Sequence, residues 1–364
     1  METLLRKIIG RSSALALAVV LVAVAGCSDD GVAVTEPAFE SLQTAAAPAN
    51  WPEAISIPTG FEAEGIELGK GHEFFLGAFS FSSVFGPLFG VNHELSESAG
   101  AIYKGNLHTG EGTILAPPTG KPVGGLSYDP RTDYLYAATG FIDLVTGSFT
   151  DQGVIVYDAT SGDIITEIGF GDGIVINDCL VTRTGVYCTD SINPDLYKVV
   201  LENGGRLPST PVVEVIPMPG FGMVAGEFNA NGLVGKFDGK QLVIVNITTG
   251  VLYRVDTASG EASPIAIEGA EQLFVDGDGL YLHGQTLYIM QNFSNKIAVV
   301  KLSGDLSGGS FIRNIPGDGE INPLDIATTI IGFGNGIYAI NTNFFDLIFG
   351  NPALVEAKVV RLRK

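Results

Sequence analysis

The chain has 364 residues, and its 40 acidic against 20 basic side chains give a formal net charge of −20. A surface so acidic repels phosphate backbones, which excludes nucleic acid as an expected partner; the acidity suits solubility outside the cell. Loss of the first 26 residues would remove three basic residues and one acidic one, leaving a mature charge of about −22.

Residues 1–27 read as an export signal. Arg6, Lys7 and Arg11 supply a basic start, and residues 14–24 form an apolar run of eleven, too short to span a bilayer comfortably. The run ends in Val24-Ala25-Gly26-Cys27, which resembles a bacterial lipoprotein cleavage box. The resemblance implies that Cys27 becomes a lipid-modified N-terminus. An ordinary secretory signal with a chance cysteine is the alternative, and both versions export the protein. In the lipoprotein version the chain is anchored to a membrane without crossing it. Ser28, the next residue, is not the aspartate associated with inner-membrane retention, so the outer membrane is expected where the host has one. Residues 28–50 are polar and aperiodic and read as a tether.

Residues 51–364 are expected to form one all-β domain. Glycine is abundant, short β-branched and aromatic runs alternate with turn signals, and no helical period is evident. First strands of a recurring unit begin at Glu64, Gly124, Asn177, Asn231, Asp278 and Thr328, at intervals of 60, 53, 54, 47 and 50 residues. Periods of that size with several strands each predict a six-bladed β-propeller with four-stranded blades. In the fifth unit, Gly279-Leu280-Tyr281-Leu282 is the inner strand, His283-Gly284 the turn and Thr286-Leu287-Tyr288-Ile289-Met290 the second strand. The segment Ile55-Ser56-Ile57 is expected to close the ring, because an unpaired edge invites aggregation. Cys179 and Cys188 flank the turn Arg183-Thr184-Gly185, where a hairpin would set them opposite each other. They are either a disulfide or two small buried hydrophobes.

Four of the six unit starts carry oxygen-bearing side chains: Glu64, Asn177, Asn231 and Asp278. Two carboxylates and two amide oxygens converging on one axis suit a hard cation of the calcium kind, with waters completing the shell. Zinc would ask for His or Cys at these positions, and redox-active copper, iron or manganese for a histidine cluster that the chain lacks. The plainer alternative is that Asn and Asp cap turns at strand starts.

The order Glu-Gly-Ile, Asn-Asp, Asn-Gly-Leu, Asp-Gly-Leu on successive blades resembles the calcium-dependent propeller hydrolases of the senescence-marker, gluconolactonase and luciferin-regenerating group, with the paraoxonases more distant. The resemblance covers about residues 55–364. It implies a divalent metal, most simply Ca²⁺, held by Glu64, Asn177, Asn231 and Asp278, and a catalytic role for Asp278 as general base or nucleophile. It also implies hydrolysis of a lactone or ester.

Propeller topology sorts the histidines. His72, His108 and His283 fall in turns of the face away from the metal. His93 alone falls in a second-to-third-strand loop on the metal face, where it is the one histidine placed to relay a proton, or else a surface loop residue. Apolar stretches at 79–92, 141–149 and 344–349 are expected on that same face. They would form a vestibule for an apolar ester or lactone, or pack on one another as a lid. The expected protein is thus a monomeric, exported, calcium-dependent hydrolase acting on a small molecule. A non-catalytic surface propeller, binding a ligand or protein partner around structural calcium, is the competing expectation.

Overall fold

The computed structural model describes residues 51–364. The signal segment, Cys27 and the 28–50 tether lie outside the described residues. Runs of β-branched and aromatic residues separated by Gly-, Asn- and Asp-containing turns pair with their sequence neighbours, so antiparallel sheets form one after another. Six such sheets result, five of them built on four consecutive strands and the sixth on three from the end of the chain and one from the start. Their inner strands are Ala63–Leu68, Val123–Asp129, Ile176–Val181, Ala230–Gly235, Gly277–His283 and Ala327–Phe333. Each inner strand touches the next, and the sixth returns to the first, which encloses a central channel. The protein is a six-bladed β-propeller.

The ring is clasped by strand exchange. Blade six takes Ala327–Phe333, Gly336–Asn341 and Lys358–Arg363 from the end of the chain and its outer strand, Ala54–Ser56, from the start. Ile55 pairs with Val359, as the closing segment requires. Blade five carries one strand more than expected, Ala266–Glu268, laid parallel against its outer strand. Cys179 and Cys188 face each other in register across the first hairpin of blade three and are joined as a disulfide.

The core is divided into six clusters, each between two adjacent blades. Between blades six and one lie Ile57, Phe74, Leu76, Tyr338 and Ile340; the cluster between blades four and five holds Val243, Val245, Ile289 and Val300. Each fully buried side chain of this size contributes about 1.5–3 kcal/mol by leaving water.

A seventh apolar cluster lies outside the blades. Two helical turns, α1 (Phe81–Phe85) and α2 (Phe344–Phe349), arise in the second-to-third-strand loops of blades one and six. Phe81, Phe344, Leu347 and Ile348 meet there with Ile326, and Phe79, Phe85, Phe89, Phe293 and Phe345 pack around them. These loops therefore spend much of their apolar surface on each other as a lid, although Phe349 remains 58% exposed. The 141–149 stretch stands apart as an extension of the middle hairpin of blade two, with Leu144 buried and Val145 exposed.

Candidate cation site in the central channel

Each of the six inner strands slips register once against its neighbour. The slips fall between Ala63 and Ile66, Val123 and Leu126, Ile176 and Cys179, Ala230 and Leu233, Gly277 and Leu280, and Ala327 and Ile330. A bulge re-aims the side chain it carries. The six unit starts read from the sequence are the first bulge residues, so Glu64, Gly124, Asn177, Asn231, Asp278 and Thr328 form one tier of the ring.

The second bulge residue decides how closely the blades approach. It is glycine in blades one, two, four and five. A Cβ on Gly65 would lie 2.5 Å from the Gly124 carbonyl oxygen, on Gly125 2.7 Å from the Asp178 Cα, and on Gly232 2.2 Å from the Asp278 carbonyl oxygen. These are backbone contacts that no rotamer change relieves. Gly232→Ala is expected to cost about 1–3 kcal/mol of overpacking, read as a lower denaturant midpoint at unchanged slope. Blades three and six depart from glycine with Asp178 and Thr329.

Hydroxyls and amides tie the tier together across blades. Thr328 Oγ1 donates to the Glu64 carbonyl at 2.7 Å, which links blade six to blade one. Thr189 Oγ1 donates to the Asn231 carbonyl at 2.9 Å and accepts from the Asp178 amide at 3.3 Å. The Cys179 N–H donates to Asp178 Oδ1 at 2.8 Å, and the Asn292 amide donates to Asp278 Oδ2 at 3.0 Å.

Two oxygens in this tier have no partner. Glu64 Oε2 and Asn231 Oδ1 are buried and accept no hydrogen bond. A buried acceptor left unpaired costs about 1–3 kcal/mol, a cost that a donor or a cation between them would relieve. Asn177 is half-buried, and no hydrogen bond to its side chain is present among the described residues.

The electrostatics agree. Burial raises the Glu64 carboxyl well above its ordinary value, and the charges of Asp278 and Asp178 push it further. Burial lifts Asp278 to about 8, against the opposing Asn292 hydrogen bond and with the Asp178 charge adding to the rise. Asp178 itself is pushed up to about 7 by burial, although the Cys179 and Leu233 amides favour its ionised form. Glu67, three residues past Glu64 on the same strand, is pushed up to about 8 by burial and by Asp178. Glu64, Glu67 and Asp178 keep a little exposed surface, but protein surrounds them, and that enclosure penalises their charge. Asp178 and Glu67 thus join Glu64 and Asp278 in the acidic set.

This donor set fits a hard cation through mixed oxygens. Among the described residues, no three His, Cys, Asp or Glu side chains gather closely enough to chelate a metal by themselves. Two carboxylates with amide and water oxygens remain the composition that calcium accepts and zinc does not favour.

His93 lies elsewhere on this face. Its Nε2 is 2.8 Å from the Ile348 carbonyl oxygen, and its ring lines a cleft of about 470 Å³ with Glu62, Ser82, Ser96, Ser98 and Ile114. Glu62 is buried there, its carboxyl raised by burial but held by the Ser82 amide at 2.9 Å and the Ser82 hydroxyl at 2.6 Å. No contact joins His93 to the bulge tier among the described residues. His72 and His108 meet at the other end of blade one, with ring centroids 5.4 Å apart and both against Trp51.

Comparisons with known proteins address the fold. No family model matches the chain, and no curated protein matches it. Among solved structures, the chain is similar to the major Malassezia sympodialis allergen Mala s 1, with a TM-score of 0.58 and 11% identity over 85% of this chain and 96% of that one. A structural genomics protein of unknown function from Bacteroides thetaiotaomicron matches with a TM-score of 0.53 and 12% identity over 83% and 70% of the two chains. A luciferin-regenerating enzyme matches with a TM-score of 0.51 and 12% identity over 85% and 95%. At such identities the likeness is one of fold, and the site must be argued from its own residues.

Proposed function

We propose that the channel tier binds a divalent cation of the calcium kind through Glu64, Asn177, Asn231 and Asp278, and that the protein hydrolyses a lactone or ester there. The observation that carries this reading is the pair of orphaned buried oxygens, Glu64 Oε2 and Asn231 Oδ1, beside carboxyls whose charge the fold otherwise penalises. The resemblance of the bulge sequences to propeller hydrolases and the likeness in fold to a luciferin-regenerating enzyme support it.

A bound cation would supply polarisation of the substrate carbonyl and stabilise its developing oxyanion. The chain's own part is to place and enclose. Asn292 fixes one oxygen of Asp278, so its carboxyl is oriented before substrate arrives, and Asp278 is the group that would take a proton from an attacking water. Glu64 and Asn231 contribute further polar oxygens to the same tier. The α1–α2 lid gathers apolar side chains from blades five, six and one.

The test is turnover of a lactone and aryl-ester panel with and without Ca²⁺, repeated on Asp278→Asn and Glu64→Gln. Calcium-dependent hydrolysis that both substitutions reduce at least tenfold is the expected result. Folded, calcium-binding protein with no turnover on any substrate would sink the hydrolase reading.

That outcome would favour the second reading, a non-catalytic propeller with a structural cation. Its support is specific: His93, which the sequence leaves as either a proton relay or a surface loop residue, lines a separate cleft, and the apolar loops of blades one and six close on each other. In either reading we propose export with a lipid on Cys27. Cys27→Ser should release the protein from the membrane fraction, and unchanged membrane association would remove the anchor.

A further inference from the structure

Blade three differs from the other five at the rung next to its bulge. In those five, the first residue pair after the register slip is apolar: Ile66 with Leu76, Leu126 with Ala137, Leu233 with Ile244, Leu280 with Ile289 and Ile330 with Ala339. In blade three the pair is Cys179 with Cys188, and it is covalent. These are the chain's only cysteines apart from Cys27. A crosslink serving the fold as a whole would stand at the clasp of blade six, where the two ends of the domain meet through three residue pairs. It lies instead inside one hairpin, between residues nine apart, immediately after Asn177 and Asp178. So short a loop removes less freedom from the unfolded chain than a crosslink between distant segments.

Blade three also asks more of its bulge. Asn177 and Asp178 together oppose Thr189, and Asp178 is the one charged residue at a second bulge position. Its charge acts on Glu64, Glu67 and Asp278. That repulsion would be relieved if the strand moved outward or if the extra residue migrated along the hairpin. Migration by one residue turns side chains to the opposite face, which would take Asn177 out of the tier. A bulge cannot pass a covalent rung, so the Cys179–Cys188 link confines it on the side of the turn. On the other side, Asp190 accepts from the Val175 amide at 3.0 Å and holds the two strands together there. Both cysteines are buried in the core between blades two and three, so the link is shielded from thiols in solution.

We propose that the Cys179–Cys188 disulfide is a positioning element of the channel site. It locks the register of the first hairpin of blade three, so that Asn177 is presented to the cation and Asp178 stays seated against Gly125. The five blades with apolar rungs carry no charged second bulge residue and need no such lock. The effect on cation affinity rests on the cation reading above, whereas the lock on the register does not.

The rung of blade two supplies the test variant: Cys179→Leu/Cys188→Ala keeps an apolar pair and removes the covalent link. Val199→Ala, on the third strand of blade three and in the same core cluster, is the comparison for lost packing alone. Calorimetric titration of Ca²⁺ into metal-free protein should show affinity weakened at least tenfold in the double variant. Val199→Ala should bind within about twofold of the parent, even where the two thermal midpoints fall equally. Hydrogen exchange on metal-free protein reads the lock directly. The Asp178 and Cys179 amides, bonded to Thr189 Oγ1 and Asp178 Oδ1, should exchange at least tenfold faster in the double variant, and those of Gly232 and Leu233 in blade four at the parent rate. Calcium affinity kept by the double variant, or lost as much in Val199→Ala, would overturn the positioning role. A parent that binds no calcium would refute the cation reading itself, and exchange would then decide the lock: faster at Asp178 and Cys179 upholds it, unchanged overturns it.

Discussion

Adding Ca²⁺ to protein stripped of divalent ions should raise its thermal midpoint by several degrees, and Glu64→Gln and Asp278→Asn should each remove most of that rise. The magnitude follows from linkage: a ligand at a hundredfold its dissociation constant stabilises by about 2.7 kcal/mol. The variants bear on the argument in a second way. Without metal, Asp278→Asn deletes a carboxyl that burial and Asp178 already penalise, so the stripped variant should be as stable as the stripped parent or more so. A site built only for folding, with no cation intended, would show no calcium response and a loss of stability in both variants. Differential scanning fluorimetry across a calcium series distinguishes the two.

The same carboxyls predict a pH dependence opposite to that of salt-bridged acids. Asp178, Asp278 and Glu67 have folded values of about 7, 8 and 8, above their ordinary values of 3.8, 3.8 and 4.5. The folded state therefore holds protons more tightly than the unfolded one. Their contribution is full below the ordinary carboxylate range, declines above it and is lost once pH has risen through 7 to 8. Metal-free protein should thus lose stability on the order of several kcal/mol between pH 5 and pH 8, with the three sites sharing the effect because they interact. Saturating Ca²⁺ should flatten the curve, since the ionised forms are then paired. A metal-free unfolding free energy that rises over this interval would refute the assignment of these acids to one enclosed channel.

The fold was legible because its repeat is written in residue types that the backbone itself needs. Glycine at the second bulge position of four blades permits an approach that a Cβ would block, and Asn or Asp at the first position tolerates the local bend. The starts at Glu64, Gly124, Asn177, Asn231, Asp278 and Thr328 therefore fall at the bulges themselves, and the count of six followed. Asp178 and Glu67 were harder to see. A bulge changes which way the following side chains point, so the two-residue alternation that assigns strand faces fails at the place where the site is built. The helical turns at Phe81–Phe85 and Phe344–Phe349 are too short for a period to show. That they meet depends on blades one and six being neighbours, which only ring closure brings about. His93 lies in the loop between the second and third strands of blade one, but loop topology alone does not fix where a ring points.

The clasp of blade six has a mechanical meaning. The outermost strand, Ala54–Ser56, is held to Lys358–Arg363 by three residue pairs and lies at the entry of the polypeptide into the domain. Tension arriving along the chain from its N-terminal side is delivered first to this short ladder. Ile55 and Ile57, both buried between blades six and one, act as the rivets behind it. The seam that makes the ring continuous is therefore expected to yield first when the domain is pulled from its N-terminal side.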